Sequence, residues 1–147
     1  MAQGSTMQFP TSGWEGMAPG VVLGGVLIGA NMNSTADQAI QINSPALHYV
    51  IESIWVSNAS ISLTTAQGGF YTGAGKTGTT LVANTQAYST LTAAAVDATG
   101  SSVAMTLAAT GAQTTTLDVA RIYFALTTAQ GAAATANIRI YIRPYYR

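Results

Sequence analysis

The sequence contains no cysteine, so the chain forms neither a disulfide framework nor a thiolate metal site. Charge is also scarce, since Asp, Glu, Lys and Arg make up 7% of its 147 residues, against about 25% in an average soluble protein. Five acidic side chains balance five basic ones. Because a positive field dominates binding to phosphate backbones, we exclude nucleic acid as a partner.

Long apolar runs are absent as well. The run Val21–Ile28 is far shorter than the roughly 20 residues that span a bilayer, and no Lys or Arg precedes it in a signal-like region. We therefore expect no membrane partner and interpret this run as a buried strand.

Apolar residues nevertheless make up 48% of the chain, with Thr, Ser, Asn, Gln, Gly and Ala left to form its surface. A surface without net charge gives little protection against self-association. We expect its outer faces to be covered by partners and the chain to be a homo-oligomer.

Residues 1–20 have no apolar period of 2 or 3.6 residues and are predicted to form an extended N-terminal arm before a single domain, residues 21–147. The arm carries Phe9, Trp14 and Met17. Burying one such side chain fully is worth about 1.5–3 kcal/mol. We expect the arm to dock either on its own domain or on a neighbouring subunit.

Short β-type runs between turn residues predict an all-β fold, an antiparallel β-sandwich, with no helix. The predicted strands are Gln38–Asn43, Leu47–Ser57, Ser60–Ala66, Thr80–Ala83, Ala87–Thr92, Val103–Ala108, Thr115–Thr128 and Ala136–Arg143.

Two of these strands have informative patterns. In the last, Ile138, Ile140 and Ile142 alternate with Arg and Tyr, which predicts one core face and one contact face. In Leu47–Ser57 both faces are apolar, with Tyr49 and Trp55 on the same one, so we expect a central strand that is covered on both sides.

The hexapeptide Leu-Thr-Thr-Ala-Gln-Gly occurs at Leu63–Gly68 and again at Leu126–Gly131, each time at the predicted end of a strand. Equivalent hairpin ends are typical of two Greek keys in one sandwich, so the repeat favours a jelly-roll-like arrangement. Chance repetition in a chain rich in Thr and Ala is the alternative.

The segment Gly73–Gly78 contains Gly-Lys-Thr but lacks the glycine six positions before Lys76, where Phe70 stands. The residues that follow it predict a strand, whereas a phosphate-binding loop needs a helix there. We interpret the segment as a hairpin loop with a solvated lysine.

His48 is the only histidine and has no carboxylate cluster near it in sequence; Glu52, four residues on, would lie about 13 Å away along an extended strand. We therefore predict no catalytic, cofactor or metal site, and do not expect an enzyme.

Four of the five basic residues lie near the C-terminus among tyrosines, a composition enriched at protein–protein hot spots. A solvated edge strand with a fraying tail is the alternative. Our interface candidates are Phe9, Trp14, Met17, Arg139, Tyr141, Arg143, Tyr145, Tyr146 and Arg147.

The Gly/Pro-bearing arm and the cysteine-free, charge-poor β-domain, with a strand such as Tyr49–Ser57, together resemble the small virion proteins of tailed bacteriophages, in particular capsid decoration or cement proteins. The resemblance covers the chain in style and not through a diagnostic motif. It implies a subunit, often trimeric, that bridges major capsid proteins on the outside of the virion and needs no cofactor. The alternatives are a tail or head-fibre subunit and a carbohydrate-binding β-sandwich.

Overall fold

The computed structural model describes residues 20–94, 98–109 and 116–146, and these contain strands but no helix. The strands are Val22–Asn31 (β1), Gln38–Gln41 (β2), His48–Ser57 (β3), Gln67–Gly73 (β4), Thr77–Val82 (β5), Ser102–Ala104 (β6), Arg121–Thr128 (β7) and Thr135–Tyr145 (β8). The described part of the chain accordingly holds no apolar helix of membrane-spanning length.

The strands form two antiparallel sheets of four, ordered β1-β8-β3-β6 (sheet A) and β2-β7-β4-β5 (sheet B). Each of β1 to β4 pairs with one of β8 to β5 in reverse order, so that β1 meets β8, β2 meets β7, β3 meets β6 and β4 meets β5. The first half of the chain thus lies along the second half like one long, wound hairpin. The predicted all-β antiparallel sandwich is confirmed.

The core lies between the two sheets and follows the predicted alternation of β8. Ile138, Ile140 and Ile142 are fully buried on one side of this strand. Sheet B contributes Phe70 and Phe124, whose ring centroids are 5.1 Å apart. Because successive strand residues point to opposite faces, burial of the isoleucines leaves the Arg and Tyr residues of β8 on the outer side of sheet A.

At one edge of the sandwich, β1 approaches the end of β2 closely enough to bond to it. The amide of Asn43 donates to the carbonyl of Gly24 at 2.8 Å, and the side chain of Gln38 donates to and accepts from the backbone of Asn31. A Cβ on Gly25 would lie 2.8 Å from Ile42. Glycine at this position therefore allows the two backbones to meet.

At the opposite edge, the segment that begins with β6 passes from one sheet to the other. Met105 N donates to Ile54 O of sheet A at 2.8 Å, and three residues later Ala108 N donates to Leu81 O of sheet B, also at 2.8 Å. Both edges of the sandwich are thus bridged by backbone hydrogen bonds.

Two predicted strands, Ser60–Ala66 and Ala87–Thr92, are wrong. Their backbone groups bond to each other, as Leu63 N does to Leu91 O at 3.0 Å, or to single residues of other elements. These two segments are connections that pack together. Their Thr, Ala and Leu residues have the composition of a strand, but the segments do not form the continuous backbone pairing of a sheet. The predicted strands Val103–Ala108 and Thr115–Thr128 shorten to β6 and β7, and Thr115 is outside the described residues.

The two copies of the hexapeptide lie side by side, but their ends are not equivalent. The first copy leads into β4 and the second closes β7, so the expectation that both close strands is wrong. Gln67 pairs with Thr128, and the side chain of Gln130 accepts from the amides of Thr65 and Ala66, each at 3.2 Å. The two copies of the hexapeptide therefore form hydrogen bonds to each other where their chain segments run side by side.

Core and surface positions of the same residue type give a direct test of this packing. We expect Ile140→Ala to lower the free energy of unfolding by about 2–5 kcal/mol, because it removes buried methyl groups and leaves a cavity. Ile28→Ala, at a side chain that is 63% exposed, should cost less than about 1 kcal/mol. Urea unfolding at one protein concentration measures both, and equal costs would contradict the assigned faces.

The hydroxyl groups of two buried tyrosines differ in their partners. Tyr88 donates to Gly68 O at 3.1 Å, whereas the Tyr71 hydroxyl has no partner in the described structure. Burial raises the pKa of both groups. We expect Tyr88→Phe to lower the free energy of unfolding by about 1–3 kcal/mol, and Tyr71→Phe to be neutral or stabilising. A larger loss at Tyr71 in the same urea titration would contradict this assignment.

Candidate protein interface

The outer side of sheet A collects apolar, aromatic and arginine side chains from three adjacent strands. Pairing places Leu23 beside Tyr141, and Val26 and Trp55 on either side of Arg139. We term this surface the sheet A outer face and define it by Leu23, Val26, Ile28, Trp55, Arg139, Tyr141 and Arg143.

The sheet A outer face holds most of the exposed apolar bulk of the described chain. Leu23 is 47% exposed, Val26 40%, Ile28 63% and Trp55 40%. Val21, just before β1, is 46% exposed. Only Leu47 and Tyr146 complete the set of large, exposed hydrophobic residues in the described ranges. Scattered apolar side chains are ordinary on a surface, but a contiguous group marks a contact site.

The two arginines of this face have different partners. Arg143 Nη2 lies 2.7 Å from Glu52 Oε2, in an ion pair whose side chains are about one-third exposed. Arg139 Nη1 donates to Ser57 Oγ at 3.1 Å. No carboxylate within residues 20–94, 98–109 and 116–146 pairs with Arg139. Its charge therefore remains available to an acidic group from outside the described structure.

The structure brings part of the predicted C-terminal group together. Arg139, Tyr141, Arg143 and Tyr145 alternate on the outer side of β8, each half-buried, and Tyr146 follows the strand and is exposed. The alternative of a solvated edge strand is wrong, because β8 lies between β1 and β3. The remaining candidates, Phe9, Trp14, Met17 and Arg147, lie outside the described residues.

Sequence reasoning missed the aliphatic part of the face. The run Val21–Ile28 was expected to be a buried strand, but β1 is an edge strand of sheet A with its outward residues exposed. Glycines at 24 and 25 and two register shifts let an apolar run present one side to solvent. Apolar composition alone does not distinguish such a strand from a covered one.

Trp55 was assigned to the wrong side of β3. A register shift between Ile51 and Ser53 inserts one extra residue, so Tyr49 and Ile51 face the core together with Ile54 and Val56, and Trp55 faces outward. A bulge reverses the alternation beyond it. The strand is central in its sheet as expected, but the exposure of Trp55 shows that its outer side is not fully covered. The adjacent polar pair Glu52-Ser53 was the available signal.

The other sequence features form no comparable group. Gly73–Gly78 makes the turn from β4 to β5, with Lys76 exposed and the Asp37 carboxylate accepting from the Gly75 amide, so the predicted hairpin loop is confirmed. His48 is half-buried opposite Tyr145. In the described ranges, no three His, Asp or Glu side chains are grouped as metal ligands.

A small cavity of about 290 Å³ is lined by Tyr71, Lys76, Thr80, Ala83 and Asn84 on sheet B. Tyr71 contributes a hydroxyl that has no hydrogen-bond partner among the described residues. Lys76 is the only charged residue in the lining, and the lining includes no large aliphatic side chain.

Comparison of the chain with protein-family models, with curated proteins and with solved structures gave no match. Inference about function therefore rests on the residues of the sheet A outer face.

The arginines of this face should contribute little to folding itself. Arg139→Gln and Arg143→Gln should each change the free energy of unfolding by less than about 1 kcal/mol, because exposed ion pairs and hydrogen bonds are weak in water. Urea unfolding at two salt concentrations measures this. A loss above about 2 kcal/mol for either variant would assign that arginine to the fold and not to a contact surface.

Proposed function

We propose that this chain is a non-catalytic structural protein of a bacteriophage particle, a capsid decoration or cement subunit that binds the outside of the major capsid lattice and stabilises it. The observation that supports this most is the sheet A outer face, an apolar and aromatic surface exposed on a charge-poor sandwich. Such a surface favours contact with other protein subunits.

The composition of this face fits a contact made many times over a lattice. Trp55, Tyr141 and two arginines belong to the residue types that anchor protein interfaces. Burying Leu23 or Ile28 against a partner would contribute roughly 1.5–3 kcal/mol for each side chain buried in full. Modest contacts repeated over a particle add up through multivalency.

The winding of the chain supports the same proposal. Pairing of β1 to β4 with β8 to β5 in reverse order agrees with a jelly roll, a sandwich of two Greek keys. Viral capsid proteins and lectins both use this architecture. The fold is thus compatible with a virion subunit and with a sugar-binding module, and the surface has to distinguish them.

The proposal includes a location and partners. The chain would be made in the cytoplasm of the bacterial host and would end on the capsid surface of the virion, as a homo-oligomer with a trimer favoured. Its partner would be the major capsid protein or another virion protein. A tail or head-fibre subunit is the alternative within the same class.

Capsid binding by face variants tests the proposal. Purified chain should co-sediment with expanded capsids of the phage that encodes it and raise the temperature at which they release DNA. The double variant Leu23→Ser, Ile28→Ser should lose at least about tenfold in apparent affinity, because it removes apolar area from the contact.

The matched control is Leu47→Ser, which removes a leucine that is 75% exposed but lies outside the face. It should bind as the wild-type chain does. Failure of the wild-type chain to bind capsids, or equal losses for the two variants, would overturn the proposal.

Carbohydrate binding is a second candidate, favoured by the exposure of Trp55 on the outer side of sheet A. An exposed aromatic ring can serve as a platform for a sugar. In that case the isolated chain should bind glycans on an array and lose binding in Trp55→Ala, with no dependence on capsids. Binding to capsids without glycan binding would exclude this candidate.

A further inference from the structure

We infer that the N-terminal segment of one copy, residues 1–19, docks on the sheet A outer face of a second copy, with Glu15 pairing with Arg139. The inference deepens the homo-oligomer named in the proposed function, but it does not require a virion.

The receiving surface combines apolar side chains with one positive charge that no carboxylate of the described residues pairs with. Arg139 lies between Val26 on β1 and Trp55 on β3. Two further exposed residues of β1, Leu23 and Ile28, belong to the same face. Arg143 is already paired with Glu52, and Arg139 bonds only to a hydroxyl, that of Ser57, among the described side chains. The surface therefore suits an apolar segment with a single acidic group.

Residues 1–19 have this chemistry. They carry Phe9, Trp14 and Met17, and Glu15 is their only charged side chain. An apolar ring next to a carboxylate, as in Trp14-Glu15, matches an exposed aliphatic and aromatic patch next to a guanidinium. Charge and apolar character thus agree between the segment and the face.

The segment is joined to the edge of the same sheet. It precedes β1, the edge strand that supplies Leu23, Val26 and Ile28. Nineteen residues reach up to roughly 60 Å when extended, while four strands span only about 14 Å. The segment is therefore long enough to cross the sheet of a neighbouring copy.

The exit point favours a neighbour over the segment's own domain. A Cβ built on Gly20 meets nothing within 4 Å, and Val21 is 46% exposed. For the segment to reach the sheet A outer face of its own domain, the chain would have to reverse direction near Gly20, where no contact among the described residues would hold such a turn. Exchange of an identical segment between copies is a low-cost route to a closed oligomer.

A charge exchange between two variants tests the pairing. Sedimentation velocity of full-length Glu15→Arg and of full-length Arg139→Glu should each show association weakened by roughly 30-fold or more, because each places like charges together in the contact. An equimolar mixture should recover association, since the arginine of one variant's segment meets the glutamate on the other variant's face. Recovery should be complete for a dimer and partial for a closed trimer, in which one of the three contacts stays between like charges. The control Arg121→Glu makes the same charge change at an exposed site on sheet B and should associate normally.

Several results would overturn the inference. These are a wild-type chain that is monomeric throughout the micromolar range, variants that associate like the wild type, and a mixture that stays as weak as its components. Recovery only when both substitutions are in one chain would place the segment on its own domain. Because Glu15 lies outside the described fold, Glu15→Arg keeps the test valid even if Arg139→Glu unfolds. The two proposals share the sheet A outer face, so capsid co-sedimentation is also measured for Glu15→Arg, which leaves that face unchanged. Weakened self-association with capsid binding kept separates the contact between copies from the contact with the capsid, and failure of one contact then does not decide the other.

Discussion

Strand β8 lies between β1 and β3, and its two-residue alternation decides what each side of sheet A does. Three isoleucines enter the core, where they are fully buried, and every intervening residue from Arg139 to Tyr145 is turned outward. The neighbouring strands adapt to this strand through register shifts. The alternation of β8 therefore produces both the core side and the outer face of sheet A. Strands β1 and β3 pair with β8, and this pairing sets the positions of the aliphatic residues on β1 and of Trp55 on β3.

How far the sequence predicts this molecule depends on how regular each strand is. The alternation of β8 is unbroken, so its buried side and its outward side were predicted correctly. In β3 the alternation is broken by one inserted residue, and Trp55 was placed with Tyr49 although it points the other way. The exposure of β1 was missed because an apolar run looks the same whether a partner covers it inside the domain or outside. Ser60–Ala66 has strand-like residues without a strand, because its hydrogen bonds go to another connection.

The small number of charges gives each one more weight in recognition. Within the described residues one ion pair is formed, between Arg143 and Glu52, and it is largely in water. Such a pair contributes little to folding. Arg139, on a face of aliphatic and aromatic groups, is different, because a partner that covers the apolar residues must also accommodate its charge. Apolar area would supply the attraction, while a single guanidinium would select the register and the partner.

The bridged edges of the sandwich limit how copies can grow into larger structures. Strand β1 is tied to Asn43 and Gln38, and the segment after β6 joins β3 to β5, so hydrogen bonds between the two sheets occupy part of each edge. Open-ended fibrils built by backbone addition are disfavoured by this closure. Contact between copies is then left mainly to side chains, and most of the large apolar side chains that are exposed among the described residues lie on the sheet A outer face.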